Sequence, residues 1–292
     1  MYGAIAANKR NTFLIMAVFV GLISGIGYLV SLYFGDTSIT YWVIIGSAIY
    51  ALFQYFAASK LAVAATGAQE IEKRDNPRLY RIVENLAITT GMPMPKVYMI
   101  NDPAPNAFAT GRDPKHAIVA ATTGIMDIMD DRELEAVMAH EMGHVQNYDI
   151  RVSMIAFGLV SAIGMLSDVA LRMFIWGGDS DNRNSGPLVI ILGVIIVVLA
   201  PIMAALIQMA ISRQREYLAD ATGAMTTRDP EGLASALEKL ETAGRPMKRQ
   251  STSTAHLFFS NPLKPGTLAT LFSTHPPLQD RIDRLRSNAG KF

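Results

Sequence analysis

Ala139-His140-Glu141-Met142-Gly143-His144 is the stretch on which the reading of this chain turns. On an α-helix, residues four apart share a face, with Cβ atoms about 5–6 Å apart. His140 and His144 at that spacing can take two corners of one tetrahedral zinc ion. Glu141 projects about 100° around the axis from His140. Its carboxylate then lies beside the open coordination position, where it can take a proton from water and pass it on. Three fixed positions are not specific by themselves, and two histidines on a surface helix face is the plainer alternative. Context favours the metal. Asp130 with Glu133 spells a capping box that opens a helix running to about Asn147. His140 and His144 are also two of only five histidines.

A hydrolytic zinc needs a third protein ligand, and the chain has no cysteine to offer. The candidate is Glu216, in Arg213-Gln214-Arg215-Glu216-Tyr217-Leu218-Ala219-Asp220. Asp220 lies four residues on, on the same helix face. It can accept a hydrogen bond from the second ring nitrogen of His140 or His144 and so fix the tautomer. The alternative is a solvated, charged helix start.

Further out, the sequence changes character. Half of the 292 residues are hydrophobic and 17% are charged, against roughly a quarter charged in an ordinary soluble domain. Asp36 is the only charged residue between Arg10 and Lys60, leaving the uncharged runs Phe13 to Phe34 and Thr37 to Ser59 on its two sides. Each exceeds the ~20 helical residues needed to cross a hydrocarbon core. The first is too long for a signal-peptide core and is followed at once by the second. The two read as a transmembrane hairpin. Ser153 to Trp176 and Pro187 to Ser212 read as a second one. The third run carries Asp168 and Arg172, four apart and near the polar loop 177–186, so an interfacial helix is its alternative.

Lys9, Arg10, Lys60, Lys73, Arg74, Arg151, Arg213 and Arg215 flank the hairpins on one side. The opposite loops hold Asp36, Asp179, Asp181 and one arginine, Arg183. The positive-inside rule puts both termini and both polar segments in the cytoplasm. The helix of His144 runs into the third span, and the fourth ends about 6 Å of helix before Glu216. The metal is therefore expected at the cytoplasmic membrane surface. A net charge of +1 gives no electrostatic case for nucleic acid.

The polar segments give a mainly α reading with a small β-sheet. Helical spacing covers Asn76 to Thr89, and Lys96 to Ile100 reads as a strand. Ala107 to Ala109 and His116 to Ala121 flank a turn at Gly111. Asp229-Pro230 starts a helix over Glu231 to Glu241. Lys248 to Thr267 reads as a mobile loop. A last helix follows Pro276-Pro277, with Arg281, Arg284 and Arg286 on its polar side. The expected organisation is a hairpin at 1–59, a first catalytic half at 60–152, a second hairpin at 153–212 and a second half at 213–292.

Taken together, the N-terminal hairpin, His140-Glu141-x-x-His144, the inserted hairpin and Arg213-x-x-Glu216-Tyr217-x-Ala219-Asp220 resemble the HtpX-type bacterial membrane zinc metalloproteases. These are heat-shock proteases related to the CAAX prenyl proteases. Asn106-Ala107-Phe108-Ala109 and Thr274-His275-Pro276-Pro277 fit the same family. The resemblance implies a zincin-like (gluzincin) fold and one zinc per chain, held by His140, His144 and Glu216 with Glu141 as base. It further implies a bacterial cytoplasmic membrane, and misfolded or damaged membrane proteins as substrates. It lends His275 a role in stabilising an oxyanion, or in touching the zinc at rest, where a structural histidine is the alternative. Asn106 to Ala109 could pair with an extended substrate; an ordinary hairpin edge is the alternative. A CAAX-type processing protease and a non-catalytic zinc-binding membrane protein are the rival functions. The oligomeric state is not legible.

Overall fold

The computed structural model describes residues 2–176, 213–249, 257–260 and 276–291. The predicted fourth span and His275 lie outside these residues. Two helices, α1 (Tyr2–Phe34) and α2 (Ser38–Thr66), are long and apolar enough to cross a membrane. They are joined by a turn in which Gly35 adopts φ 68° and Asp36 Oδ1 accepts from the Ser38 amide at 2.9 Å. The helices approach closely at Gly27, where a Cβ would lie 2.7 Å from the Val43 side chain. Small residues at such a crossing let two helix backbones pack without a cavity.

After α2 come β1 (Gln69–Glu70), α3 (Pro77–Thr90), β2 (Lys96–Ile100), β3 (Ala107–Thr110), β4 (Ile118–Thr122) and α4 (Thr123–Ile128). The strands form one mixed sheet in the order β1-β2-β4-β3, with β2 and β4 parallel and the other pairs antiparallel. The predicted strand at His116 starts at Ile118. Asp113 caps a 3-10 turn over Pro114–His116 and takes those residues out of the ladder. α3 lies one residue on from its expected span at each end. Asn76 accepts from the Leu79 amide, Pro77 opens the helix, and Gly91 ends it in the left-handed region.

Both faces of β3 and β4 are buried. Side chains alternate across a strand, so Ala107, Ala109, Val119 and Ala121 face one core while Phe108 and Ala120 face another. On the first face lies α5 (Asp131–Gln146), its methyl-sized partners on the sheet allowing close approach. The Asp130–Glu133 capping box forms as expected. The chain turns at Asn147 and Tyr148, the latter at φ 62°, and enters α6 (Asp149–Trp176), which carries the third apolar run. Then come α7 (Arg213–Thr227), α8 (Pro230–Ala243) and α9 (Leu278–Ser287).

The described residues within 1–9, 58–154 and 211–292 form one compact unit, and those within 10–57 and 155–210 another. Two expectations need correction. Residues 257–260, inside the predicted mobile loop, are ordered against β3. Phe258 and Phe259 are buried, Phe258 bridges to Phe108, and the Phe259 amide donates to Ala107 O at 2.8 Å. Arg281, expected on the polar side of the last helix, is 0% exposed.

Candidate metal centre

The site is made by two helices, α5 and α7. The capping box fixes the start of α5, and three turns later His140 and His144 stand one above the other, ring centroids 4.7 Å apart. α7 crosses α5 at Gly223, where a Cβ would come within 3.0 Å of the His140 backbone nitrogen. A side chain there would push the two helices apart, and the close approach brings Glu216 and Asp220 to the imidazoles. Glu216 Oε1 lies 3.4 Å from His144 Nε2, and Glu216 Oε2 lies 3.8 Å from His140 Nε2. The two Nε2 atoms are 3.1 Å apart. One ligand atom from each of the three residues falls within 4.8 Å of the others. Bonds of about 2.0–2.1 Å to a tetrahedral ion put two ligand atoms about 3.3 Å apart, so the cluster fits one such ion.

The outer nitrogens decide the chemistry of the inner ones. His140 Nδ1 lies 2.9 Å from Asp220 Oδ1, and His144 Nδ1 lies 3.1 Å from Asp149 Oδ2. A carboxylate only accepts, so both Nδ1 atoms carry protons and each Nε2 turns a lone pair toward the other. Two lone pairs and a carboxylate at this range call for a cation between them. Burial pushes His144 down, but the charge of Glu216, the bond from Asp149 and the charges of Asp149 and Glu141 outweigh it and raise His144 to about 9. His140 goes the other way, to about 4: burial disfavours its charged form, and the bond to Asp220 does not compensate.

Asp220 is itself held. Arg281 donates from Nη2 to Oδ1 at 2.6 Å and from Nε to Oδ2 at 2.9 Å, a two-point clamp. Burial raises the Asp220 pKa, yet the Arg281 charge and the His140 bond bring it to about 2. Phe259 closes this side, its ring 4.9 Å from His140 and under the Arg281 guanidinium at 4.9 Å. Glu141, one residue past His140, is buried, and its charge raises the pKa of both His144 and Arg281.

The structure thus brings together His140, Glu141, His144, Glu216 and Asp220. Asn106 sits just before β3, its amide bonded both ways to the Ser260 backbone, and Ala107 to Ala109 form the sheet edge that Phe258 and Phe259 meet. Arg281 and Asp149 were missed from the sequence. Arg281 had a signal: it stands three residues after Leu278 and four before Leu285, on the apolar stripe of α9. Asp149 had none, because a helix break separates it from His144.

Residues 73–289 match the model of peptidase family M48. The chain is 57% identical to a Protease HtpX homolog of Tropheryma whipplei (strain TW08/27), covering 100% of both chains. It is 43% identical to a Protease HtpX homolog of Ligilactobacillus salivarius (strain UCC118), covering 98% of this chain and 99% of that one. Among solved structures it resembles S. mikatae Ste24p with a TM-score of 0.51, covering 98% of this chain and 67% of that chain. At 17% identity that likeness shows the fold.

Proposed function

The chain belongs to peptidase family M48 and is a metalloprotease with membrane-crossing helices, and from that premise we propose that it is a zinc endopeptidase acting on misfolded or damaged membrane proteins at the cytoplasmic face of a bacterial inner membrane. His140, His144 and Glu216 hold one zinc in a gluzincin-type site. The observation that carries this reading is the arrangement of the two Nε2 atoms and the Glu216 carboxylate. Both Nδ1 atoms are tied to Asp220 and Asp149, so both Nε2 atoms are left to ligate. By sequence, the apolar runs 153–176 and 187–212 are long enough for two further spans. The basic flanks of all four support cytoplasmic termini.

When bound, zinc supplies Lewis acidity toward water and toward the scissile carbonyl. Glu141 takes a proton from the attacking water as its oxygen adds to the carbonyl carbon, then returns that proton to the leaving nitrogen. Asp220, clamped by Arg281, holds the His140 tautomer through the cycle. The family resemblance lends His275, outside the described residues, the oxyanion role. The β3 edge from Asn106 to Ala109 pairs with the extended substrate. Phe258 and Phe259 hold that edge in this structure, so a substrate backbone must take over the Ala107 carbonyl bond.

The test is casein cleavage by the purified full chain in detergent. Wild type should cleave and lose activity to a chelator. Glu141→Gln should lose about 10²–10⁴-fold while keeping its zinc. Cleavage by Glu141→Gln at the wild-type rate would remove Glu141 from the mechanism.

A further inference from the structure

The first residues of α1 precede its uncharged run and belong to the unit that holds the metal cluster, not to the one that holds the rest of the helix. Asn8 is 6% exposed there. A buried amide needs partners, and Asn8 spends its Nδ2 on the corner after α5. It donates to Asp149 Oδ1 at 2.6 Å and to the Asn147 carbonyl at 2.9 Å. The other oxygen of Asp149 accepts from His144. A line of hydrogen bonds therefore runs from the N-terminal segment to a candidate ligand. The same corner is gripped a second time. The Tyr148 ring lies 4.5 Å from Lys9 Nζ and 5.0 Å from the Arg151 guanidinium carbon, a cation on an aromatic face in each case. Arg215, half-buried, also senses the Asp149 charge.

We propose that Asn8 is a positioning residue of the metal centre: by fixing the Asp149 carboxylate it sets the tautomer and orientation of His144, which makes the segment before the first span part of the zinc site. The inference rests on His144 being a ligand. Asn8 touches neither metal nor substrate, so its effect is read in zinc affinity and not only in turnover.

The experiment measures zinc dissociation constants of the full chain in detergent by competition with a chromogenic chelator. Partners one layer outside the ligands are worth about 10–100-fold in affinity. Asn8→Ala is expected near the lower end of that range. Asp149→Ala should lose at least as much, and the double variant should bind like Asp149→Ala alone. Wild-type affinity in Asn8→Ala, or a double variant whose loss is the product of the two single losses, would overturn the proposal. Asn8→Leu keeps the volume and drops the donor; it decides if Asn8→Ala does not fold, with the same two outcomes. His144→Ala separates the premises: undiminished zinc binding there sinks the ligand set, whereas lost binding with an unaffected Asn8→Ala sinks only the role of Asn8.

Discussion

A guanidinium with no exposure is costly unless its charge is matched. Arg281 meets the condition through both oxygens of Asp220, with Glu216 Oε2 at 4.0 Å from its Nη1. Its service to the site is indirect: it keeps Asp220 ionised, and Asp220 keeps His140 oriented. Arg281→Met leaves Asp220 buried without its clamp. The metal-free protein should lose about 3–5 kcal/mol of stability and zinc affinity should fall about 10–100-fold. Arg281→Lys restores the charge but not the fork and should recover only part of either. Denaturant unfolding and chelator competition measure the two effects. An unchanged unfolding midpoint in Arg281→Met would mean that the clamp contributes nothing. Sequence reasoning placed Arg281 on the polar side because it weighed the residue's charge above its position in the helix. Leu278, Ile282 and Leu285 mark the stripe on which it falls, and a cation on such a stripe implies a buried anion.

At the scale of elements, what was legible is what is decided locally. The capping box at Asp130, the helical spacing from Asn76 and the strand at Lys96–Ile100 depend on neighbours in the chain, and the structure has them where the pattern put them. The burial of 257–260 and the meeting of Asp149 with His144 depend on tertiary docking, which periodicity does not encode. Glu133 shows local and distant roles combined. It closes the capping box through the Asp130 amide and also accepts from Lys239 Nζ and Ser235 Oγ, each at 2.6 Å. Burial raises its pKa, but Lys239, Ser235 and the Asp130 amide outweigh that and hold it below 4.5. The stability Glu133 contributes is therefore fully present above about pH 4.5. It is lost as pH falls through the depressed folded value. Glu133→Gln should lower stability by about 1–2 kcal/mol at neutral pH and flatten the loss of stability below pH 4.5. Parallel acid-unfolding curves for the two proteins would contradict this.

At the scale of the whole molecule, the chain divides into a unit built around the sheet and the metal cluster and a unit of long apolar helices. Hydropathy announced the second unit, because a run of about 20 uncharged residues has few other uses. The close approach of its helices was not announced, since Gly27 looks like any glycine in an apolar run. Gly27→Ala sets a methyl 2.7 Å from Val43, which should cost about 1–3 kcal/mol as overpacking. Thermal unfolding in detergent reads this, and an unshifted transition would show that the hairpin has slack there. The catalytic account rests on three side chains from two distant stretches of sequence sharing one ion. Its most direct test is the zinc content of purified full-length variants by elemental analysis after exhaustive dialysis. Wild type and Glu141→Gln should each retain one zinc per chain, while His140→Ala, His144→Ala and Glu216→Ala should retain little. Undiminished zinc in Glu216→Ala would contradict the account.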